Sequence, residues 1–326
     1  MSDRVRFGVL GCASIAVNKV IPGMQRSEWC EVVAIGSRDA DRAAAAAASL
    51  GIVTSQGSYD DVLADDDVEA VDIPLPNHLH SEWTQRAAAA GRHVLCEKPL
   101  GLDVAEVVGM VDACRDAGVL MMEAFMYRHH PLWLRTHELV AEGAIGELLA
   151  IQARFTYHNL DPANIRNIAD YGGGAAMDIG CYPINVARWF FDSEPTAVSA
   201  AVRRDESFGT DALTSAVLDF DGRHATFTCS TQLEPDQRVH LLGSAGRLEV
   251  EIPFNIPPDR PTRVVLTAGG DPPVAPQQTV FELPAADQYA AMADAFATAV
   301  RAGSSAPVAP EDAIGNMRVI EQILAR

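Results

Sequence analysis

Short apolar runs rich in β-branched residues alternate with Ala-rich helical stretches through the first third of the chain. Val5–Leu10, Val32–Ser37, Ala70–Pro74, His93–Cys96 and Leu120–Ala124 are read as strands, and Arg42–Leu50, Leu79–Ala90 and Val104–Ala117 as helices between them. Strands that are apolar throughout are buried on both faces, so this order predicts a doubly wound parallel sheet with helices on either side. Gly51, Gly91 and Gly118 stand just past those helices, where a left-handed cap suits glycine. The alanine run Ala43–Ala48 is read as an ordinary sheet-covering helix. A helix from Pro131 to Glu142 follows, and after Gly143-Ala144-Ile145-Gly146 the pattern changes. Leu148–Tyr157, Ala197–Arg203, Ala212–Phe220, Ala225–Gln232 and Arg247–Ile252 alternate apolar with polar positions, the period of half-exposed antiparallel strands. One helix, Ala176–Phe191, interrupts them; Pro253–Pro276 reads as a long loop, and Gln288–Arg301 and Pro310–Leu324 as closing helices. The expected class is therefore α/β, with the parallel sheet followed by an α/β domain built on a large open, mainly antiparallel sheet. The expected boundaries are 1–124, 125–308 and a C-terminal helix 309–326. An open sheet face exposes apolar area, which predicts a homodimer or homotetramer formed through the C-terminal sheet.

Composition narrows the function classes. A chain of 326 residues with 48% hydrophobic residues is long enough for two domains with real cores. Its net charge of −19 opposes binding to nucleic acid or to an anionic membrane surface, because phosphate contacts need clustered Lys and Arg. The six cysteines (Cys12, Cys30, Cys96, Cys114, Cys181, Cys229) show no metal-ligand spacing and read as buried reduced thiols, so no metal is expected. Met1-Ser2-Asp3-Arg4 leads directly into the first strand without an apolar leader, and a cytoplasmic protein is expected.

The first strand runs into Gly11-Cys12-Ala13-Ser14-Ile15-Ala16 and then a helix. This is the dinucleotide-binding turn of a Rossmann domain with alanine in place of the second and third glycines. Gly11 permits the tight turn, and the small Ala13 and Ala16 let backbone approach a pyrophosphate at a helix start, where unpaired N–H groups favour negative charge. The second strand ends in Gly36-Ser37-Arg38, where an NAD-selective site carries an acid. Ser37 and Arg38 offer a hydroxyl and a planar cation to a 2′-phosphate, which predicts NADP(H), with Asp39 available to a ribose.

The fourth strand ends abruptly in Cys96-Glu97-Lys98-Pro99. A lysine where a buried strand emerges is poorly solvated, and the carboxyl edge of an α/β sheet is where ligands bind. Pro99 has no N–H for the ladder and must end the strand, and a cis bond before it would hold Lys98 in one orientation. Asp178 and Tyr182 follow Gly172-Gly173-Gly174, lie four apart and so share one helix face. Gly180 and Pro183 within the same stretch predict a helix start or distortion near Tyr182, and the glycine triplet would let backbone pass close to a ligand.

These residues together resemble the Gfo/Idh/MocA oxidoreductases, named for glucose–fructose oxidoreductase and inositol dehydrogenase. The resemblance spans the chain and rests on Gly11–Ala16, Pro76-Asn77-His78-Leu79-His80, Glu97-Lys98-Pro99, Met122-Glu123-Ala124-Phe125-Met126 and Gly172–Tyr182. It implies a cofactor site of Gly11, Cys12, Ala13, Ser14, Ile15, Ser37, Arg38, Pro74, Leu75, Asn77, His80, Glu97 and Lys98, and catalytic roles for Lys98, Tyr182 and Asp178. Hydride transfer between nicotinamide and a carbinol carbon needs a group that exchanges the hydroxyl proton. Tyr182 suits this and Lys98 the stabilising charge, although the two roles could be exchanged. Tyr157, Asn159 and Arg166 lie in a loop dense in amide and ring groups that suits a polyhydroxylated ligand, and with Asp178 and Tyr182 they form the expected substrate site.

The resemblance is to NADP-dependent xylose or glucose 1-dehydrogenases and aldose–aldose oxidoreductases. Val119–Pro131 is also similar to 3-ketoreductases of nucleotide-linked deoxysugars. The expected function is therefore oxidation of an aldose at C1 to a lactone. The alternatives are reduction of a nucleotide-linked keto sugar and, in another class, a non-catalytic NADP sensor.

Overall fold

A computed structural model describes residues 4–271 and 274–325. The expectation placed on Met1-Ser2-Asp3 lies outside the described residues. The chain divides into two compact units, Met1–Met126 with Gln288–Met317, and Tyr127–Asp287 with Arg318–Arg326. Among the described residues no helix is long and apolar enough to cross a membrane.

The first unit is a six-stranded parallel sheet ordered β3-β2-β1-β4-β5-β6. Its strands are β1 (Val5–Leu10), β2 (Cys30–Gly36), β3 (Thr54–Gln56), β4 (Ala70–Ile73), β5 (His93–Cys96) and β6 (Met121–Glu123). The helices are α1 (Ile21–Arg26), α2 (Ala40–Leu50), α3 (Tyr59–Ala64), α4 (His80–Ala89) and α5 (Val104–Asp116). β1 and β4 are buried almost throughout, as their unbroken apolar runs require. Gly51, Gly91 and Gly118 all take the positive φ expected of caps. β3 and α3 escaped the sequence reading: one is three residues long, and the other is a six-residue helix started by Ser58, whose hydroxyl accepts the Asp61 amide.

α8 (Gln288–Ala302) belongs to this unit, not to the second as the expected boundary at 308 implies. It is held by Phe296 against Phe7, with ring centroids 6.0 Å apart, and by Asp294, which accepts the Ser27 hydroxyl at 2.5 Å. Gly23 of α1 lies so close to Tyr289 that a Cβ there would collide with it. These contacts join segments far apart in sequence, so periodicity could not assign the helix to a unit. α9 (Glu311–Leu324) is divided between the two units at Met317.

The second unit is an eight-stranded sheet ordered β14-β13-β12-β11-β7-β10-β9-β8, antiparallel except for the β7–β10 pair. The strands are β7 (Leu148–His158), β8 (Ala197–Arg204), β9 (Asp211–Phe220), β10 (Arg223–Ser230), β11 (Gln232–Gly243), β12 (Gly246–Val250), β13 (Thr262–Asp271) and β14 (Ala275–Leu283). α6 (Pro131–Ala141) and α7 (Cys181–Phe191) also belong to this unit. Two sequence expectations are corrected. The supposed loop Pro253–Pro276 contains all of β13 and the start of β14, because Pro and Gly concealed a hairpin with a register shift between Thr267 and Gly270. β11 was missed because Glu234, Pro235 and Asp236 fall at its bulge against β7, which breaks the alternation.

The core here is aromatic. Trp133 is fully buried and donates its indole N–H to the Pro253 carbonyl at 2.6 Å. Tyr127, Trp189 and Phe254 surround it. The opposite, open face of the sheet carries a shallow groove in which Gln152, Arg154, Ser199, Ser215, Thr226, Thr228, Arg238 and His240 alternate with apolar residues, among them Ala200, Ala201 and the exposed Val217.

Candidate active site

In the first unit the expected cofactor residues emerge at one edge, because β2, β1, β4 and β5 are neighbouring parallel strands whose carboxyl ends point the same way. Gly11 follows β1 with φ of 125°, and its amide donates to Gly36 O at 2.9 Å. That φ favours glycine, and a Cβ there would also press on the Leu75 side chain at 3.0 Å, where the β1 and β4 ends meet. Residues 14–26 are continuously helical, with a π-helical stretch at Ala16–Val20; Ser14 is exposed, and Ala13 and Ile15 are half-buried. The first amides of a helix lack partners within it, so a short strand, a bare turn and this helix start fit a pyrophosphate.

The residues after β2 divide by role. Ser37 is buried and accepts the Asp39 amide at 3.2 Å, while Asp39 caps α2 by accepting the Arg42 amide at 3.1 Å. That cap engages the carboxylate expected at a ribose. Arg38 is exposed, hydrogen-bonds to the Tyr59 hydroxyl and lies near His78. Arg42 was missed by the sequence reading. Its guanidinium donates to Cys12 O at 2.7 Å, placing a second cation against the turn, and only the α2 helix brings it there. Cys12 is buried, and burial raises its thiol pKa.

Pro74 and Leu75 are buried and continue β4; Asn77 opens a short 3₁₀ turn, half-buried. His80 differs from expectation. Its imidazole is fully buried with Nδ1 3.0 Å from Pro99 O and Nε2 2.8 Å from Leu75 O, so both ring nitrogens engage backbone. Burial lowers its pKa to about 4, so the ring is neutral and donates its single N–H to one of these two carbonyls while packing against the other, between the β4 loop and the β5 end. It is a brace for Lys98-Pro99 in this geometry. That bond is cis, and Glu97 and Lys98 are half-buried just beyond β5. Glu123 accepts the Leu100 amide at 3.0 Å, securing the chain after Pro99.

In the second unit the expected distortion lies at the expected place. Ala176–Gly180 is π-helical and passes directly into α7 at Cys181. Asp178 Oδ2 accepts the Tyr157 hydroxyl at 2.6 Å and Arg166 Nε at 2.8 Å, so a strand, a loop and the π turn converge on one carboxylate. Arg166 is held protonated by Asp178, and burial with the Asp178 charge pushes Tyr157 up. Tyr157 is therefore a fixed neutral donor. Tyr182 is 4% exposed and its ring sits among Tyr127, Phe155 and Phe254, 5.0 to 5.8 Å between centroids.

Asn159 is not part of this cluster. Its side chain accepts the Asp161 amide at 2.9 Å and closes a turn of its own loop. The glycine triplet also has another cause than ligand approach. Side chains at Gly173 and Gly174 would collide with the Arg166 carbonyl and the Asp211 carboxylate, so these two glycines pack against the protein itself. Among the described residues there is no group of His, Cys, Asp and Glu able to hold a metal ion.

A doubly wound nucleotide-type unit followed by a sheet unit carrying a clustered carboxylate, arginine and tyrosines defines a two-unit dinucleotide-dependent oxidoreductase. Residues 5–125 match the oxidoreductase family with an NAD-binding Rossmann fold, and residues 133–249 match the GFO/IDH/MocA C-terminal domain. The chain belongs to the Gfo/Idh/MocA oxidoreductase family. It is 51% identical, over 98% of its length and 96% of the relative, to an oxidoreductase of Rhizobium meliloti. It is 41% identical to a D-xylose 1-dehydrogenase (NADP(+)) of Haloferax volcanii, over 97% of this chain and 95% of that one. The crystal structure of a 3-ketoreductase from Actinomadura kijaniata in complex with NADP and TDP-benzene superimposes with a TM-score of 0.89 at 34% identity, covering 99% of this chain and 97% of the other.

Proposed function

We propose that the protein oxidises a free aldose, xylose or glucose, at C1 to the lactone with NADP⁺. The observation that carries this reading is the carboxylate of Asp178 held jointly by Tyr157 and Arg166 on the π turn that leads to Tyr182. Such a set presents hydrogen-bonding groups suited to a polyhydroxylated ligand without a metal. The likeness to the xylose dehydrogenase supports the aldose.

The residues after β1, β2, β4 and β5 would hold the dinucleotide, which when bound supplies a hydride acceptor. Tyr182, ionised with the help of the Lys98 charge, takes the hydroxyl proton of the sugar as the hydride leaves its carbon and passes it on to solvent; Lys98 also opposes the developing negative charge, and Asp178 orients the hydroxyl that reacts. Tyr157 is excluded as the proton acceptor because its own proton is committed to Asp178. Of the expected substrate residues, Tyr157, Arg166, Asp178 and Tyr182 remain in the proposal.

Arg38, backed by Arg42, reads the 2′-phosphate. Arg38→Ala is expected to raise KM for NADP⁺ by about tenfold or more, the loss of a charge-assisted hydrogen bond, with KM for NAD⁺ nearly unchanged. Initial rates with both cofactors check this, and an equal effect on the two would contradict it.

The likeness to the 3-ketoreductase supports a second reading, reduction of a nucleotide-linked 3-keto sugar. Activity on free aldoses separates it from the first. A second copy covering the open sheet face is the proposed oligomer, supported by the apolar area that Ala200, Ala201 and Val217 leave in the groove there. Light scattering at the mass of a single chain would oppose it. The buried cysteines, none of them in a disulfide among the described residues, fit a reducing compartment, and we place the protein in the cytoplasm; export in a fractionation experiment would refute that.

A further inference from the structure

One buried carboxylate outside the expected site is tied directly to the turn that carries Asp178. Asp211 opens β9 and is 1% exposed. Its Oδ2 accepts the Ala176 amide at 2.8 Å and the Thr214 hydroxyl at 2.8 Å. Its Oδ1 occupies the space that a side chain at Gly174 would need, and Gly174 has φ of 120°. Ala176 is the first residue of the π turn, and Ala175 before it supplies no side-chain cap. Asp211 thus provides, from a neighbouring strand, an acceptor that the local sequence does not.

The same short segment is fixed to the site at both ends. Gly174 donates its amide to the Arg166 carbonyl at 2.9 Å, and the Asp178 amide donates to the Gly174 carbonyl at 3.0 Å. Gly180 packs against the Cys229 sulfur, where a Cβ would approach to 3.0 Å, so the far end of the turn has little room to adjust. A displacement at Ala176 is therefore passed on to Asp178, and through it to Tyr157 and Arg166.

We propose that Asp211 is a positioning residue for the reaction: its ionised carboxylate holds Ala176, and so fixes the π turn that presents Asp178 and Tyr182. This rests on the proposed roles of those two residues. Asp211 acts through Ala176 and touches no reacting atom in this role.

The geometry gives the device a pH dependence. Burial pushes the Asp211 carboxyl up to about 6, opposed by the Thr214 hydroxyl, the Ala176 amide and Arg204. Arg204 faces it across the β8–β9 ladder, and Cys229 on β10 is the thiol on which its charge acts, together with the charges of Cys181 and Asp178 from the turn side. Burial holds Cys229 far above its ordinary range, so that thiol stays neutral. Protonation of Asp211 weakens the bonds it accepts, because bonds to a charged acceptor are roughly twice as strong as neutral ones.

Thr214→Val keeps shape and removes one donor to Asp211, so it raises the carboxyl pKa. The acid limb of the kcat profile is expected to move up by about one pH unit while KM for NADP⁺ stays unchanged. Asp211→Asn is expected to abolish that limb and to lower kcat tenfold or more. Hydrogen exchange of residues 174–182, corrected for intrinsic rates, gives a readout independent of turnover. The wild type should lose protection between pH 7.5 and pH 5, and Asp211→Asn should lack it at both. An acid limb unmoved in Thr214→Val, with exchange insensitive to pH, would overturn the proposal; if Asp211→Asn does not fold, Thr214→Val decides alone. Exchange that follows Asp211 while Tyr182→Phe keeps full turnover would uphold the positioning and reject the catalytic reading.

Discussion

Tyr182→Phe is expected to lower kcat by about 10²–10⁴-fold with little change in KM for either substrate, the effect of deleting a general acid–base group. The substitution is well suited to the purpose. The ring of Tyr182 is 4% exposed and packs on Tyr127, Phe155 and Phe254, and phenylalanine preserves each of those contacts. Stability should therefore change by no more than about 1 kcal/mol, and a folded, cofactor-binding, inactive protein is the outcome that supports the assignment. Tyr157→Phe serves as the contrast. It removes a donor from Asp178 and not the exchangeable proton, so its loss of kcat should be the smaller. Steady-state rates on the two variants check both statements, and full turnover by Tyr182→Phe would assign the proton to another group, with Lys98 the first to examine.

Asp72→Asn is expected to make the protein more resistant to unfolding at alkaline pH and nearly neutral in effect near pH 4. Asp72 lies in β4 between Val9 of β1 and Leu95 of β5, fully buried, and neither carboxyl oxygen has a hydrogen-bond partner among the described residues. Burial, and then the charge of Glu97, raises its pKa well above the ordinary carboxyl value. The folded protein therefore keeps a proton that the unfolded chain releases above about pH 4. Stability contributed by the neutral form is complete below the unfolded pKa and declines as pH rises toward the folded one, by about 1.4 kcal/mol per unit for one proton. Asparagine has no proton to release, so the variant should lack this slope. Urea unfolding at pH 5, 7 and 9 measures it, and parallel pH dependences for the two proteins would contradict the account.

What the sequence revealed and what it concealed follow from the range of the interactions concerned. The parallel sheet was readable because β4 is buried throughout, β1 and β5 almost so, and their apolar runs are local signals, and Gly51, Gly91 and Gly118 mark helix ends by a backbone requirement of their own. The break before Tyr182 was readable from Gly180 and Pro183, and it is the π turn Ala176–Gly180. Long-range geometry was not readable. Arg42 reaches Cys12 from the next helix, Asp211 reaches Ala176 from a strand 35 residues on, and α8 returns to β1 through Phe296. The local partners of polar residues were not readable either: His80 faces the Pro99 and Leu75 carbonyls, and Asn159 accepts the Asp161 amide of its own loop. The glycine triplet was legible as a place that needs room, and at Gly173 and Gly174 protein atoms occupy part of that room.

The most direct test of the proposed aldose oxidation is absorbance at the reduced-nicotinamide band, with purified protein checked beforehand for bound cofactor, NADP⁺, and a panel of free aldoses. The account predicts steady NADPH formation with xylose or glucose, lost in Tyr182→Phe. No reduction with any free aldose, together with NADPH oxidation by a nucleotide-linked 3-keto sugar, would contradict it.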